Sequence, residues 1–208
     1  MRVLVGTENS GDLRQSELRR HLKMMSRCVE TATAGSALTM ILRSAESDPA
    51  KALIGMKGAL QRAGAWAKVI LARIEPEDDL RQLFAGLSEL APQRPSHELI
   101  RWARNPRLLE AHEQVIYGDA LCWFGDAMRR DADKRNALAL FEEEAPESAR
   151  LGRLAFTALW AQSSLVPGRH LMGPASARPS GAYEQASGPE LDLPALRPSP
   201  QGWPLLRH

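Results

Sequence analysis

From residue 12 onwards apolar side chains return every three or four positions, and short polar breaks interrupt them, which is the signature of amphipathic helices. Proline marks the breaks. Pro49, Pro76, Pro106 and Pro146 follow Asp, Glu, Asn and Ala and open helix-forming runs, as proline does in a first helical turn, while Pro92 and Pro95 bracket a loop. The pattern predicts helices over 12–47, 49–74, 76–91, 96–104, 106–130, 132–144 and 147–166, with almost no strand. The implied fold class is all-α, a bundle of six or seven helices spanning 12–166. Residues 1–11 read as a flexible N-terminus. Eight of the 14 prolines fall in 167–208 together with Gly168, Gly173, Gly181, Gly188 and Gly202, so this segment reads as a disordered Pro/Gly-rich tail.

Two N-terminal details qualify this scheme. Val3-Leu4-Val5-Gly6 has the composition of a short strand, and Gly6 to Gly11 has the glycine spacing of a phosphate-binding loop. Asp12 and Leu13 stand where such a loop needs Lys and Ser/Thr, and a carboxylate repels phosphate. The Met24-Met25 pair raises a second possibility, that the folded unit begins near Ser26.

The segment 106–130 is the most informative. Asn105, His112, Asp119, Asp126 and Asp133 recur every seven residues, which on a helix draws one slowly drifting polar stripe. Leu109, Ile116 and Trp123 flank it on one side, Leu108, Val115 and Cys122 on the other, and Tyr117, Leu121, Phe124 and Met128 fill much of the opposite face. A helix apolar nearly all round belongs in the middle of a bundle, so His112, Asp119 and Asp126 form an expected buried polar stripe. Asp126 has Arg129 and Arg130 within helical reach. Asp119 has only Val115, Ile116, Cys122 and Trp123 at that spacing, which predicts a buried ion pair with Arg62, Arg101 or Arg104. A dyad of His112 as base and Asp119 as orienter has little support, because residues seven apart on a helix are about 10 Å apart along its axis.

Charge changes the picture locally rather than globally. The 208 residues carry 27 Lys+Arg and 25 Asp+Glu, a balance of +2 that makes neither nucleic acid nor an anionic membrane the default partner. Residues 49–74 are different, with Lys51, Lys57, Arg62, Lys68 and Arg73 and no acid. On a helix these cations rim an apolar face of Leu53, Met56, Leu60, Ile70 and Leu71, an arrangement suited to lipid headgroups, an acidic helix or a nucleic-acid backbone. The plainer reading, a core helix whose long stems snorkel outwards, is favoured by Gly55, Gly58 and Gly64 and their neighbouring alanines. Acidic runs at Glu75 to Asp79 and at Glu142 to Glu147 supply internal partners.

Dedicated chemistry is sparse. Cys28 and Cys122 are far apart and form no Cys-x-x-Cys pattern, so they read as reduced core thiols in a cytoplasmic protein. The longest uncharged stretch, 154–168, is shorter than a bilayer crossing and reads as a buried helix. The five histidines lack metal-ligand spacing, and neither a metal nor another cofactor is expected. Arg107-x4-His112 resembles the Arg-x4-6-His pattern of the HEPN family of small helical ribonucleases; the resemblance implies phosphate contact by Arg107 and acid/base work by His112. It covers six residues, and Arg14-x6-His21 matches equally well. Gly125, Ala137 and Phe141 stand at tetratricopeptide spacing, without the second copy that a superhelix needs. Trp203, Leu205 and Leu206 form an apolar cluster near the C-terminus, suited to docking on a partner or on the bundle.

These features favour a non-catalytic protein-interaction or regulatory protein, whose partner, most simply another protein, is met by Lys51, Lys57, Arg62, Lys68 and Arg73 or by Trp203, Leu205 and Leu206. The alternatives are a HEPN-like ribonuclease using Arg107 and His112, and peripheral attachment to an anionic membrane through 49–74.

Overall fold

The computed structural model describes residues 10–130 and 139–172. They build a seven-stranded mixed sheet with helices on its faces, which replaces the all-α bundle that periodicity predicts. In chain order the elements are α1 (Ser10–Thr31), β1 (Ala37–Leu42), α2 (Asp48–Arg62), β2 (Trp66–Leu71), α3 (Glu77–Leu90), α4 (Ser96–Leu99) and β3 (Ile100–Trp102). A 3₁₀ turn (Pro106–Glu110) leads to β4 (His112–Ile116) and β5 (Cys122–Ala127), followed by β6 (Leu140–Glu142), α5 (Pro146–Gln162), β7 (Ser164–Leu165) and α6 (Gly168–Leu171). The strand order is β6-β5-β4-β1-β2-β3-β7. β1, β2 and β3 run parallel, and the remaining pairings are antiparallel.

Helix 49–74 divides because of one glycine. Ala63 caps α2, Gly64 adopts φ +67°, its N–H donates to the Gln61 carbonyl and the N–H of Ala65 donates to the Leu60 carbonyl. This is the left-handed C-terminal motif that only a residue without Cβ adopts freely. The run Trp66-Ala-Lys-Val-Ile-Leu71 then pairs with β1 in register from Ala37↔Trp66 to Leu42↔Leu71. Such a strand is buried on both faces, so it lacks polar alternation and imitates the apolar side of a helix.

The same ambiguity overturns the expected central helix 106–130. Its residues form the 3₁₀ turn and the β4–β5 hairpin, in which Val115 faces Trp123 and Ile116 faces Cys122. His112, Asp119 and Asp126 therefore share no helical stripe: the first begins β4, the second lies in the connecting loop and the third is near the end of β5. Within 12–47 the chain leaves α1 and forms β1, 96–104 divides into α4 and β3, and 132–144 contributes β6. The four prolines behave as expected locally, with Pro49, Pro106 and Pro146 in first turns and Pro76 at the N-cap of α3.

Two hydrophobic layers hold the sheet. On one side Met24, Met25 and Cys28 of α1, Leu53 and Leu60 of α2, and Leu80, Leu83 and Leu87 of α3 pack with Leu38, Met40, Leu42, Val69 and Val115. Met24 and Met25 are thus core residues, and the folded unit starts before Ser26. On the other side Phe156 of α5 meets Ile41, Ile70 and Met128. Gly152 lets α5 sit close: a Cβ there would lie 2.5 Å from Ile116 Cδ1, and Gln114 Nε2 donates to the Gly152 carbonyl at 2.8 Å.

α5 buries only its inner face; Leu154, expected inside a buried helix, is 57% exposed. The expected tail 167–208 begins with ordered chain, since α6 buries Leu171. Its remainder, with Trp203, Leu205 and Leu206, lies outside the described residues, as do 1–9 and 131–138 with Asp133 and Ala137. Among the described residues no helix is long and apolar enough to cross a membrane.

Candidate functional site

The cations of 49–74 do not form one rim. Lys51 and Arg62 are exposed on α2, Lys57 pairs with Glu89 of α3, and Arg73 follows β2. Lys68 projects from β2, with its ammonium 5.4 Å from the centre of the Trp66 ring and 5.3 Å from that of Trp160. The apolar face they were expected to border is consumed by the sheet and its helices.

The polar residues of 106–130 also separate. Asp119 is fully exposed and pairs with Arg153 of α5 at 2.7 Å, rather than lying buried against Arg62, Arg101 or Arg104. Arg101 instead donates to the carbonyls of Trp160 and Ser163, each at 3.3 Å, closing the end of α5. Exposed Arg107 lies in the 3₁₀ turn, while exposed His112 starts β4 with its Nδ1 2.8 Å from the Gly125 carbonyl oxygen. The sheet context removes the helical scaffold that the ribonuclease resemblance implies. Only Asp126 keeps the expected burial, with Oδ1 accepting from Arg130 at 3.0 Å.

A different set of residues meets at the carboxyl end of β1. β1 divides the sheet, pairing in parallel with β2 on one side and antiparallel with β4 on the other. Open α/β sheets bind ligands outside the carboxyl ends of their parallel strands, the end at which these residues lie. Arg43 directly follows β1 and is buried. Its backbone N–H donates to Glu113 Oε1 at 2.9 Å, its Nη2 lies 3.1 Å from Glu113 Oε2, and Nη2 also donates to the Ala127 carbonyl at 3.3 Å.

Opposite Glu113 the hairpin is irregular. His112 pairs with Ala127 and Gln114 with Phe124, so two residues of β5, Gly125 and Asp126, face the single Glu113. Such bulges redirect side chains beside functional sites. Here Gly125 and Asp126 both line a cleft of about 40 Å³, which is bounded also by Glu17 of α1, Ser47 and Asp48 at the start of α2, Glu113 and Trp123. Gly125 is needed sterically, since a Cβ would approach the Trp123 ring to 2.7 Å.

Behind this wall is a buried polar column. His21 is fully buried; its Nδ1 is hydrogen-bonded to the Tyr117 hydroxyl at 2.5 Å, its Nε2 lies 3.8 Å from Glu17 Oε1, and its ring meets Trp123 edge-on at 4.8 Å. Cys28 Sγ donates to the Tyr117 carbonyl at 2.6 Å. Burial pushes the Cys28 thiol up to about 11 and the Tyr117 phenol well above its ordinary range. Cys122 is pushed up to about 12 by burial and by its contact with Glu142. These thiols are protonated core groups rather than nucleophiles.

Among the described residues no group of three or more His, Cys, Asp or Glu is placed to hold a metal ion. The cleft offers carboxylates and an indole ring, and the lining Glu113 is held by Arg43, which does not itself line the cleft. Sequence reading missed Glu17, Arg43, Ser47, Asp48, Glu113 and Gly125. One signal was available: an apolar run, Leu38 to Leu42, followed by a polar loop ending in Ser47-Asp48-Pro49, which is a strand, a turn and a helix start. Comparison with family models and with curated proteins finds no match to this chain.

Proposed function

We propose that this protein binds a small polar ligand in the cleft at the carboxyl end of β1. The buried Arg43–Glu113 pair carries the reading. Removing two charges from water costs several kcal/mol per ion before their attraction returns any of it, so a hydrophobic pair would serve stability as well. The pair sits beside a bulge and at a change of strand direction, where a site rather than a core is expected. The two buried thiols fit a reducing compartment, and we assign the protein to the cytoplasm.

The test is amide NMR of the labelled full chain against mixtures of small polar compounds. Binding that shifts residues 43–50, Glu113 and 123–127 supports the reading. Shifts confined to α5, or none from any mixture, overturn it.

A second reading, contact with another protein, is favoured by the outer side of α5 and the β7 edge strand that follows it, where Leu151, Leu154 and Leu165 are all more than half exposed. Apolar surface of this kind marks interaction sites. It retains the interaction role expected from sequence but moves it away from the basic positions.

A further inference from the structure

We infer that the groove between α1 and β6 binds a small oxyanion, a carboxylate or a phosphate monoester carried on an apolar body. The groove lies at the edge of the sheet, where β6 is the last strand, and shares no lining residue with the cleft at β1. Its volume is about 270 Å³, and Arg20, Lys23, Met24, Phe141 and Glu143 line it. Steps of three and four residues put Arg20, Lys23, Met24 and Arg27 on one side of α1. Phe141 pairs with Trp123 across the strands, and the His21 ring of α1 meets both, which sets Phe141 on the face that α1 covers.

The first observation is an unspent guanidinium. The guanidinium carbon of Arg20 lies 4.2 Å from the centre of the Phe141 ring, and among the described residues its side-chain N–H groups have no hydrogen-bond or ion-pair partner. The ring beneath restricts the orientation of the plane. The donors around its rim then suit an oxyanion, which a guanidinium meets with two parallel hydrogen bonds.

The second observation is the charge of the wall. Among the described residues Glu143 is the one carboxylate in the lining, and it already answers two cations: Oε2 accepts from Arg27, and Oε1 lies 3.6 Å from Lys23 Nζ. A cationic ligand would have to displace one of them, whereas an anion at Arg20 completes the balance. Buried Met24 and the Phe141 ring supply apolar contact, which calls for a hydrocarbon or aromatic body behind the anion. The volume falls just short of the clefts that hold drug-sized molecules, so the groove suits small compounds.

The experiment titrates the labelled full chain at low salt with benzoate, phenyl phosphate and neutral benzyl alcohol, and reads amide shifts. Saturable shifts of residues 20–24 and 141–143 from at least one anion are expected, with binding about tenfold weaker in Arg20→Gln. Arg20 is exposed, so this variant keeps the fold. Arg20→Lys, which retains the charge without the planar fork, should recover only part of the loss. The tighter of the two anions identifies the oxyanion that the groove prefers. Equal affinity for benzyl alcohol, affinity unchanged in Arg20→Gln, or no saturation by either anion overturns the inference. Anion shifts confined to residues 43–50 and Glu113 overturn it as well, since they place the ligand in the cleft at β1.

Discussion

Glu113 grips Arg43 twice, taking the backbone N–H on one carboxylate oxygen at 2.9 Å and facing the guanidinium with the other at 3.1 Å. The contact fixes the end of β1 and the start of β4 together, and it holds both charges out of water. Glu113→Gln removes the acid that neutralises a buried guanidinium, and a loss of about 3 kcal/mol in urea unfolding is expected. Glu113→Leu combined with Arg43→Met should recover most of that loss. A single variant within about 0.5 kcal/mol of wild type would show that the pair is not the anchor of this strand end.

Two glycines of the α2 region should respond with opposite signs. Gly64 holds φ +67°, and a Cβ would also lie 3.2 Å from Ala34 Cα, so Gly64→Ala should lower stability by at least about 1 kcal/mol. Gly58 lies inside the helix with only the end of the Arg62 side chain near a new Cβ, at 3.7 Å. Gly58→Ala should raise stability by about 0.5–1 kcal/mol. Denaturant midpoints of the two variants, measured side by side, settle the sign of each.

Gly152 and Gly125 are places where a side chain has no room. A Cβ at Gly152 meets Ile116 and at Gly125 meets the Trp123 ring, so each alanine variant should cost about 1–3 kcal/mol through overpacking. Only Gly125→Ala should also change the near-ultraviolet circular dichroism of Trp123, because it alone displaces that ring. Identical spectra would mean that the ring does not rest on Gly125.

The buried thiols predict a decline of stability at alkaline pH. Folding raises Cys28 from its ordinary 9.0 to about 11, and the folded state therefore holds its proton more tightly than the unfolded state. The corresponding stabilisation is complete below pH 9 and is lost as pH climbs from 9 towards 11, at a slope of up to about 1.4 kcal/mol per unit for this group. Cys122 extends the decline towards 12. Urea midpoints between pH 8 and 10.5 should fall, and fall less steeply in Cys28→Ala. Both thiols should resist an aromatic disulfide reagent at pH 8 until denaturant is added.

The outer side of α5 should be energetically silent in the folded monomer. Leu151 and Leu154 are each 57% exposed, so Leu151→Ser with Leu154→Ser should change unfolding free energy by no more than about 0.5 kcal/mol per site. If this surface meets another protein, the same pair should abolish the association seen by sedimentation. A large stability loss would instead place these leucines in the core.

Local rules carried a good part of the sequence reading. Pro49, Pro106 and Pro146 open helical turns, α3 and α5 lie close to the expected 76–91 and 147–166, and Cys28 and Cys122 are buried free thiols. These outcomes depend on φ restriction and solvation, which act within a few residues. The buried strands did not declare themselves. Residues 66–71, 115–117 and 121–124 are mostly apolar on both faces, and a run of that kind fits a buried helix as well as a strand until a neighbouring strand accepts its backbone hydrogen bonds.

What the sequence alone determined is therefore the breaks that proline marks and most of the apolar residues that leave water. Which of the apolar runs pair edge to edge was decided only by tertiary structure, because ladder hydrogen bonds join residues far apart, such as Met40 with Val115. The cleft depends on that pairing entirely: Arg43 and Glu113 are 70 residues apart in the chain, and nothing local couples them. Burial makes their meeting consequential, since the low-dielectric interior strengthens a charge pair that would count for little on the surface.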